Sequence, residues 1–183
     1  MTDSAQPEKA AAMLLPPSVR SPAALGLTAA AAKGRFELQV CRSCSAVQYP
    51  PREACHRCLG SILDWTPQDG AGELISETLL FHSHAEFFRP YLPIRLGLVK
   101  LDCGPTAVVY VADSVAVTPA PTLPLALAPM RAAALASAPP TLVRVAVRLD
   151  KAGNAALVAM AANAGDTPLT GTLGLLFHRD HVG

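Results

Sequence analysis

The chain has 183 residues, of which 51% are hydrophobic, 16% charged and 5% aromatic, with a formal net charge of +1. That length and apolar content suffice for one ordinary core, or for a small domain joined to a metal-stapled module. A near-neutral balance with few aromatic rings supplies neither a general attractive field for nucleic acid nor many stacking platforms for bases.

No stretch reads as a membrane span, because the most apolar long segment, Ala116 to Pro140, is interrupted by Pro119, Pro121, Pro124, Pro129 and Arg131. The N-terminus carries Asp3, Glu8 and Lys9 ahead of its apolar residues and prolines soon after, which is not a signal-peptide pattern. A cytoplasmic location is the expectation, and retained thiols agree with it.

In chain order, residues 1–34 are expected to be a mobile segment followed by a short helix. Alanine propensity predicts that helix from Pro22 to Lys33, with Ser21 as N-cap and Gly34 as its stop. Phe36-Glu37-Leu38-Gln39-Val40 alternates apolar and polar residues, as a strand does, and leads into Cys41-Arg42-Ser43-Cys44. After ten intervening residues comes Cys55-His56-Arg57-Cys58. Two Cys-x-x-Cys hooks suit one tetrahedral ion, since each hook folds both thiolates toward one point about 2.3 Å from Zn²⁺. The connection is short, and Pro50-Pro51 stiffens it. The same four thiolates, Cys41, Cys44, Cys55 and Cys58, suit iron in a rubredoxin-type site. Paired disulfides would need an oxidising compartment, and a thioredoxin-like site needs a single hook near a βαβ unit.

Ile62 to Trp65 gives a return strand whose Trp is expected to pack on the metal module, and Pro67 to Gly72 is a turn-rich junction. The metal module is therefore placed at residues 35–69. From Gly72 the pattern is β. Strands are predicted at Glu73 to His82, Ile94 to Leu101, Ala107 to Ala112, Leu142 to Leu149 and Ala155 to Met160, with a hairpin signal at Asp150 to Asn154. Five strands in this order predict a small Greek-key barrel of OB type over residues 70–162, in a mainly β protein. Met130 to Ser137 is expected to give a short helix between the third and fourth strands, and residues 163–183 a tail whose apolar centre docks on the barrel or on another subunit.

These features together resemble a known family, the thiolase-associated OB-fold proteins with an N-terminal rubredoxin-like zinc ribbon. The resemblance rests on Leu38-Gln39-x-Cys41-x-x-Cys44, Tyr49-Pro50-Pro51-Arg52-x-x-Cys55-x-x-Cys58, Trp65, Gly72-x-x-x-Ser76-x-Thr78, Phe88-x-Pro90-Tyr91 and Leu101-Asp102-x-Gly104. Two positions depart from the family pattern. Ser45 stands where many such proteins have Gly, and Cys103 stands in a position that is usually acidic.

The resemblance implies a non-catalytic accessory subunit of a thiolase-type or other acyl-CoA enzyme, carrying one structural zinc and working as a hetero-oligomer. It also implies handling of CoA or acyl-CoA, for which Arg89, Arg95, Lys100 and Arg131 are candidate phosphate contacts, as cations able to make charge-assisted hydrogen bonds. No nucleophile, base and orienting group stand together in a recognisable catalytic motif. The competing readings are a nucleic-acid-binding ribbon with an OB barrel and a rubredoxin-like electron carrier. His82 and His84 share one face of an extended strand and read as solvated or interface residues; Cys103 reads as a buried, inert thiol. His56 is expected to point away from the metal, and Arg52 to brace the ribbon or meet a partner.

Overall fold

A computed structural model describes residues 14–17, 20–116, 140–164 and 168–177 of the chain. The helix expected between the third and fourth barrel strands, Arg131, and most of the N-terminal segment before Arg20 lie outside the described residues.

A 3₁₀ turn at Pro22–Ala24 runs into helix α1, Leu25–Ala31. Ser21 opens this unit through its carbonyl, which accepts the Ala24 N–H at 2.9 Å, and its side chain makes no capping bond. Gly34, at φ +66°, takes the left-handed conformation that ends the helix. Three short strands follow, β1 Glu37–Cys41, β2 Val47–Gln48 and β3 Leu63–Pro67, in a sheet ordered β2-β1-β3. Every pairing in it is antiparallel.

The remaining strands close a five-stranded barrel ordered β4-β5-β6-β8-β7. They are β4 Ala71–Leu80, β5 Ile94–Leu101, β6 Thr106–Val111, β7 Thr141–Leu149 and β8 Ala155–Ala161. All neighbours are antiparallel except β6 and β8, which run parallel and close the barrel through Tyr110↔Val158 and Val111↔Ala159. This is the OB connectivity that the strand order predicted. A register shift between Leu74 and Ser76 lets the first half of β4 pair with both β5 and β7, and its second half with β5. Such a bulge supplies the bend that closure demands. The β7–β8 turn is held by Asp150, whose Oδ1 accepts the N–H groups of Ala152 and Asn154, both at 2.9 Å.

β8 shows why a run such as Ala-Ala-Leu-Val-Ala-Met-Ala is apolar at every position. Leu157 and Ala159 belong to one buried cluster, with Val99, Val109, Val111, Val143 and Val145. Val158 and Met160 belong to a second, with Phe87, Ile94 and residues from the tail. Alternate residues face opposite sides of a strand, so a strand covered on both faces needs no polar side. The second cover comes from a 3₁₀ segment, Glu86–Tyr91, and from helix α2, Gly171–Leu176, whose Leu173 and Leu176 are buried. Phe177 bridges back to Asp150. Residues 168–177 of the tail thus dock on the chain's own barrel.

The ribbon sheet and the barrel share one core. Leu38 of β1 and Leu27 of α1 belong to the barrel cluster, and Trp65 of β3 packs against it. The indole lies over Gly26, where a Cβ would fall 2.1 Å from Trp65 Cε2. The Trp expected on the metal module therefore anchors that module to α1 and to the barrel. At the junction Gly70, with φ +75°, accepts the Val145 N–H at 2.7 Å, and a Cβ there would meet the Val145 carbonyl at 2.0 Å. Only glycine allows the two backbones to approach so closely. Among the described residues no helix is long and apolar enough to cross a membrane.

Candidate metal centre

Each hook folds by the same local device. In the first, the Ser45 N–H returns to the Cys41 carbonyl at 2.8 Å and the Cys41 N–H reaches the Ala46 carbonyl at 3.0 Å. In the second, the Leu59 N–H returns to the Cys55 carbonyl at 3.0 Å and the Cys55 N–H reaches the Gly60 carbonyl at 2.8 Å. The residue after each second cysteine turns the chain in the left-handed region, Ser45 at φ +56° and Leu59 at φ +60°.

The two turns bring the four sulfurs of Cys41, Cys44, Cys55 and Cys58 within 4.8 Å of one another. Cys41 and Cys58 Sγ are 3.5 Å apart, and Cys44 and Cys55 Sγ 3.6 Å. A tetrahedron of sulfurs about 2.3 Å from a central ion has edges of about 3.8 Å, whereas a disulfide needs about 2.05 Å. The spacing therefore fits one four-coordinate cation, and all four thiols are free. Cys41 and Cys55 are buried, Cys44 is half-buried and Cys58 is exposed, so the cluster sits at the surface end of the ribbon.

Four sulfurs this close cannot all ionise without a cation among them. The backbone N–H groups of Cys58 and Arg57 hold Cys55 down to about 6. For Cys58, the Gly60 N–H pulls downward, but hydrogen bonding with Cys44 and Cys41 pushes it up to about 12. Burial raises Cys41, yet the N–H groups of Cys44 and Ser43 outweigh it and leave this thiol below its ordinary value. Proton sharing of this kind marks a donor set that a divalent ion would deprotonate as a whole.

Beneath the hooks lies a pair of buried amides that the alternating pattern of residues 36–40 did not reveal. Glu37 and Gln39 occupy the polar side of that alternation but are only 7% and 6% exposed; Glu37 pairs with Arg35 at 3.0 Å, and the Arg52 backbone folds back onto Gln39. Gln39 Oε1 accepts the Gln48 side-chain N–H at 3.0 Å and the Arg52 backbone N–H at 2.8 Å. Gln48 Oε1 accepts the His56 N–H at 3.1 Å. Both loops between the cysteines are thus fixed from inside. Polar residues flanking paired prolines were the available signal.

The other singled-out residues are dispersed. Arg95 is committed within the barrel, with Nε donating to Glu77 Oε1 at 2.6 Å and its terminal nitrogens to the carbonyls of Ala112 and Val115 at 3.1 Å each. Those bonds leave little of it for a ligand phosphate. Arg89 is exposed and lies 3.9 Å from Glu86; Lys100 donates to the Gly104 carbonyl. Exposed His56 lies outside the sulfur cluster, and the rings of His82 and His84 meet edge-on at 5.1 Å, with no third metal-ligating side chain gathered about them among the described residues. Burial pushes the Cys103 thiol up, as an inert sulfur requires.

Comparison with known proteins points the same way. Residues 28–64 match the ChsH2 rubredoxin-like zinc ribbon domain. No curated protein matches the chain. A solved chain of an Ltp2-ChsH2(DUF35) aldolase superposes with a TM-score of 0.56 at 19% identity, covering 80% of this chain and 99% of that one, which establishes a common fold. The chain thus carries a match to the ChsH2 rubredoxin-like zinc ribbon joined to a five-stranded closed barrel of OB connectivity, and shares the fold of that solved chain.

Proposed function

We propose that this protein is a zinc-binding, non-catalytic accessory subunit of a thiolase-type acyl-CoA enzyme complex in the cytoplasm, needed for assembly and for handling the CoA-bearing substrate. The observation that carries the reading is the convergence of four cysteine sulfurs at the surface end of a ribbon whose other end is built into the barrel core. Four protein thiolates fill a tetrahedral shell, so zinc held there is structural, cross-linking the two hooks. The chain's own residues do the rest. Gln39 and Gln48 hold the loops, Leu38 and Trp65 fix the ribbon to the barrel, and the exposed outer end of the second hook, Cys58 and Leu59, is left to meet another protein.

In this reading the ribbon, residues 35–69, is the recognition element and the barrel, residues 70–162, the platform beneath it, with residues 163–183 adding to the partner contact through outward-facing side chains such as the exposed Leu175. Support comes from the ribbon family and from the solved likeness, which belongs to an aldolase of Ltp2 and ChsH2. The carbon–carbon bond chemistry is assigned to the partner.

Co-expression with a thiolase-type partner tests this. A stable complex with one zinc per accessory chain, and no acyl-CoA turnover by the accessory chain alone, is the expected outcome. Turnover by the isolated chain, or iron in place of zinc in the purified complex, would overturn it.

A further inference from the structure

The ribbon and the barrel do not meet flush. Between the loops of the ribbon and the β5–β6 turn lies a cleft of about 540 Å³, with Gln48, Arg52, His56 and Arg57 on one wall and Gly104 and Thr106 on the other. That volume lies in the range of small-molecule sites. Arg52 and Arg57 stand apart from the other described arginines. Every other one bonds a carboxylate or a backbone carbonyl, whereas these two guanidiniums have no partner among the described residues.

The backbone that carries them is held in place. The Arg52 backbone is pinned to buried Gln39, the neighbouring His56 backbone to Gln48, which is 2% exposed, and the Arg57 N–H to Cys55 Sγ at 3.4 Å. Two fork-shaped cations carried on a pinned backbone along one cleft, whose lining contains no carboxylate, suit the charge of a phosphate group.

We infer that this cleft is an anion site for the phosphates of a nucleotide-bearing ligand, with Arg52 and Arg57 as its principal contacts. The site belongs to the isolated chain. Only the identity of the natural ligand rests on the proposed acyl-CoA role, in which the nucleotide end of CoA would be held by the ribbon arginines; Arg89, Arg95 and Lys100 do not line the cleft.

Calorimetric titration of the zinc-loaded full chain with adenosine 3′,5′-bisphosphate, and separately with inorganic pyrophosphate, tests it. Binding that weakens with added salt is expected, and R52Q/R57Q is expected to raise Kd about tenfold or more. Lys33→Gln, an exposed charge change at the end of α1, serves as control and leaves Kd unchanged. Tighter binding of the nucleotide than of pyrophosphate supports a nucleotide ligand; equal binding overturns that part. Absence of binding by the wild-type chain overturns the whole, as does an unchanged Kd in the double variant or a loss that follows Arg89→Gln or Lys100→Gln instead. Loss of zinc from R52Q/R57Q at unchanged ligand affinity would show that the arginines only balance the tetrathiolate. Failure to recruit an acyl-CoA enzyme would count against the accessory role without touching the titration.

Discussion

Ser45 and Leu59 are counterparts. Each follows the second cysteine of its hook, each sits in the left-handed region at φ +56° and +60°, and each sends its N–H back to the carbonyl of the hook's first cysteine. Neither is glycine, so each holds a conformation that costs an L-residue roughly 1–2 kcal/mol. Leu59 is also 80% exposed and gains nothing from burial.

Replacing either by glycine removes that strain, offset by roughly 0.5–1 kcal/mol for the greater chain entropy that glycine loses on folding. Ser45→Gly and Leu59→Gly are therefore expected to stabilise the zinc-loaded protein by about 0.5–1 kcal/mol each. A β-branched residue at either place is expected to destabilise it. Denaturant unfolding measures both, and a destabilising glycine would show that the side chains stabilise the chain by more than their left-handed backbone costs.

The sulfur tetrad makes a second prediction. Cys44→Ser leaves three thiolates, and metal affinity is expected to fall at least about 100-fold, with faster hydrogen exchange through β1 to β3. The barrel strands are expected to exchange nearly as before, since their core contains no cysteine ligand. Full zinc retention against a competing chelator would dismiss the four-thiolate site.

Proton dependence follows from the same cluster once zinc has been removed by a chelator. Cys55 is lowered to about 6 from 9.0. Its contribution to stability is then fully present above the unfolded value and is lost as pH falls through about 6. Cys58, raised to about 12, acts in the opposite sense, present below 9.0 and lost as pH rises through about 12. Thiolate ultraviolet absorbance of the stripped chain should accordingly show one thiol titrating near pH 6. A single transition near the ordinary thiol range would contradict the asymmetry.

Much of this was legible from spacing. The hooks name their own ligands, because few other roles need cysteines three apart twice over, and the valine-rich strands show their period directly. The buried amides were not legible. Gln39 occupies a position that alternation assigns to solvent, and only the fold-back of Pro50 to Arg52, a contact between 39 and 52, covers it. Trp65 reads from the sequence as packing on the ribbon, but its contact with Gly26 of α1 does not, since pattern gives a strand's faces and not what lies across them. Arg95 looked like any other cation until the barrel closed over it and brought Glu77 and two carbonyls within reach.

Trp65 provides a direct readout of the ribbon–barrel joint, being the only Trp in the chain. Gly26→Ala places a methyl group 2.1 Å from the indole and must displace it. A loss of about 1–3 kcal/mol is expected, with a red-shifted Trp emission as the ring moves toward water. Unchanged emission and stability would show that the joint is not packed through this pair.

Arg95 separates a structural cation from a ligand-binding one. Its side chain is 18% exposed and that of Glu77 17%, so their 2.6 Å pair is shielded from solvent on most sides. Removing one partner leaves the other desolvated and the Ala112 and Val115 carbonyls without their donors. Arg95→Met keeps most of the side-chain volume and is expected to lower stability by about 2–3 kcal/mol. Glu77→Gln, which keeps a hydrogen-bond acceptor for the guanidinium, should cost less. Because the guanidinium is spent on the barrel, the affinity of the folded variant for adenosine 3′,5′-bisphosphate is expected to match the wild type. A variant that unfolds normally but no longer binds the nucleotide would place a phosphate on Arg95, and would require its bonds to Glu77 and both carbonyls to open when ligand arrives.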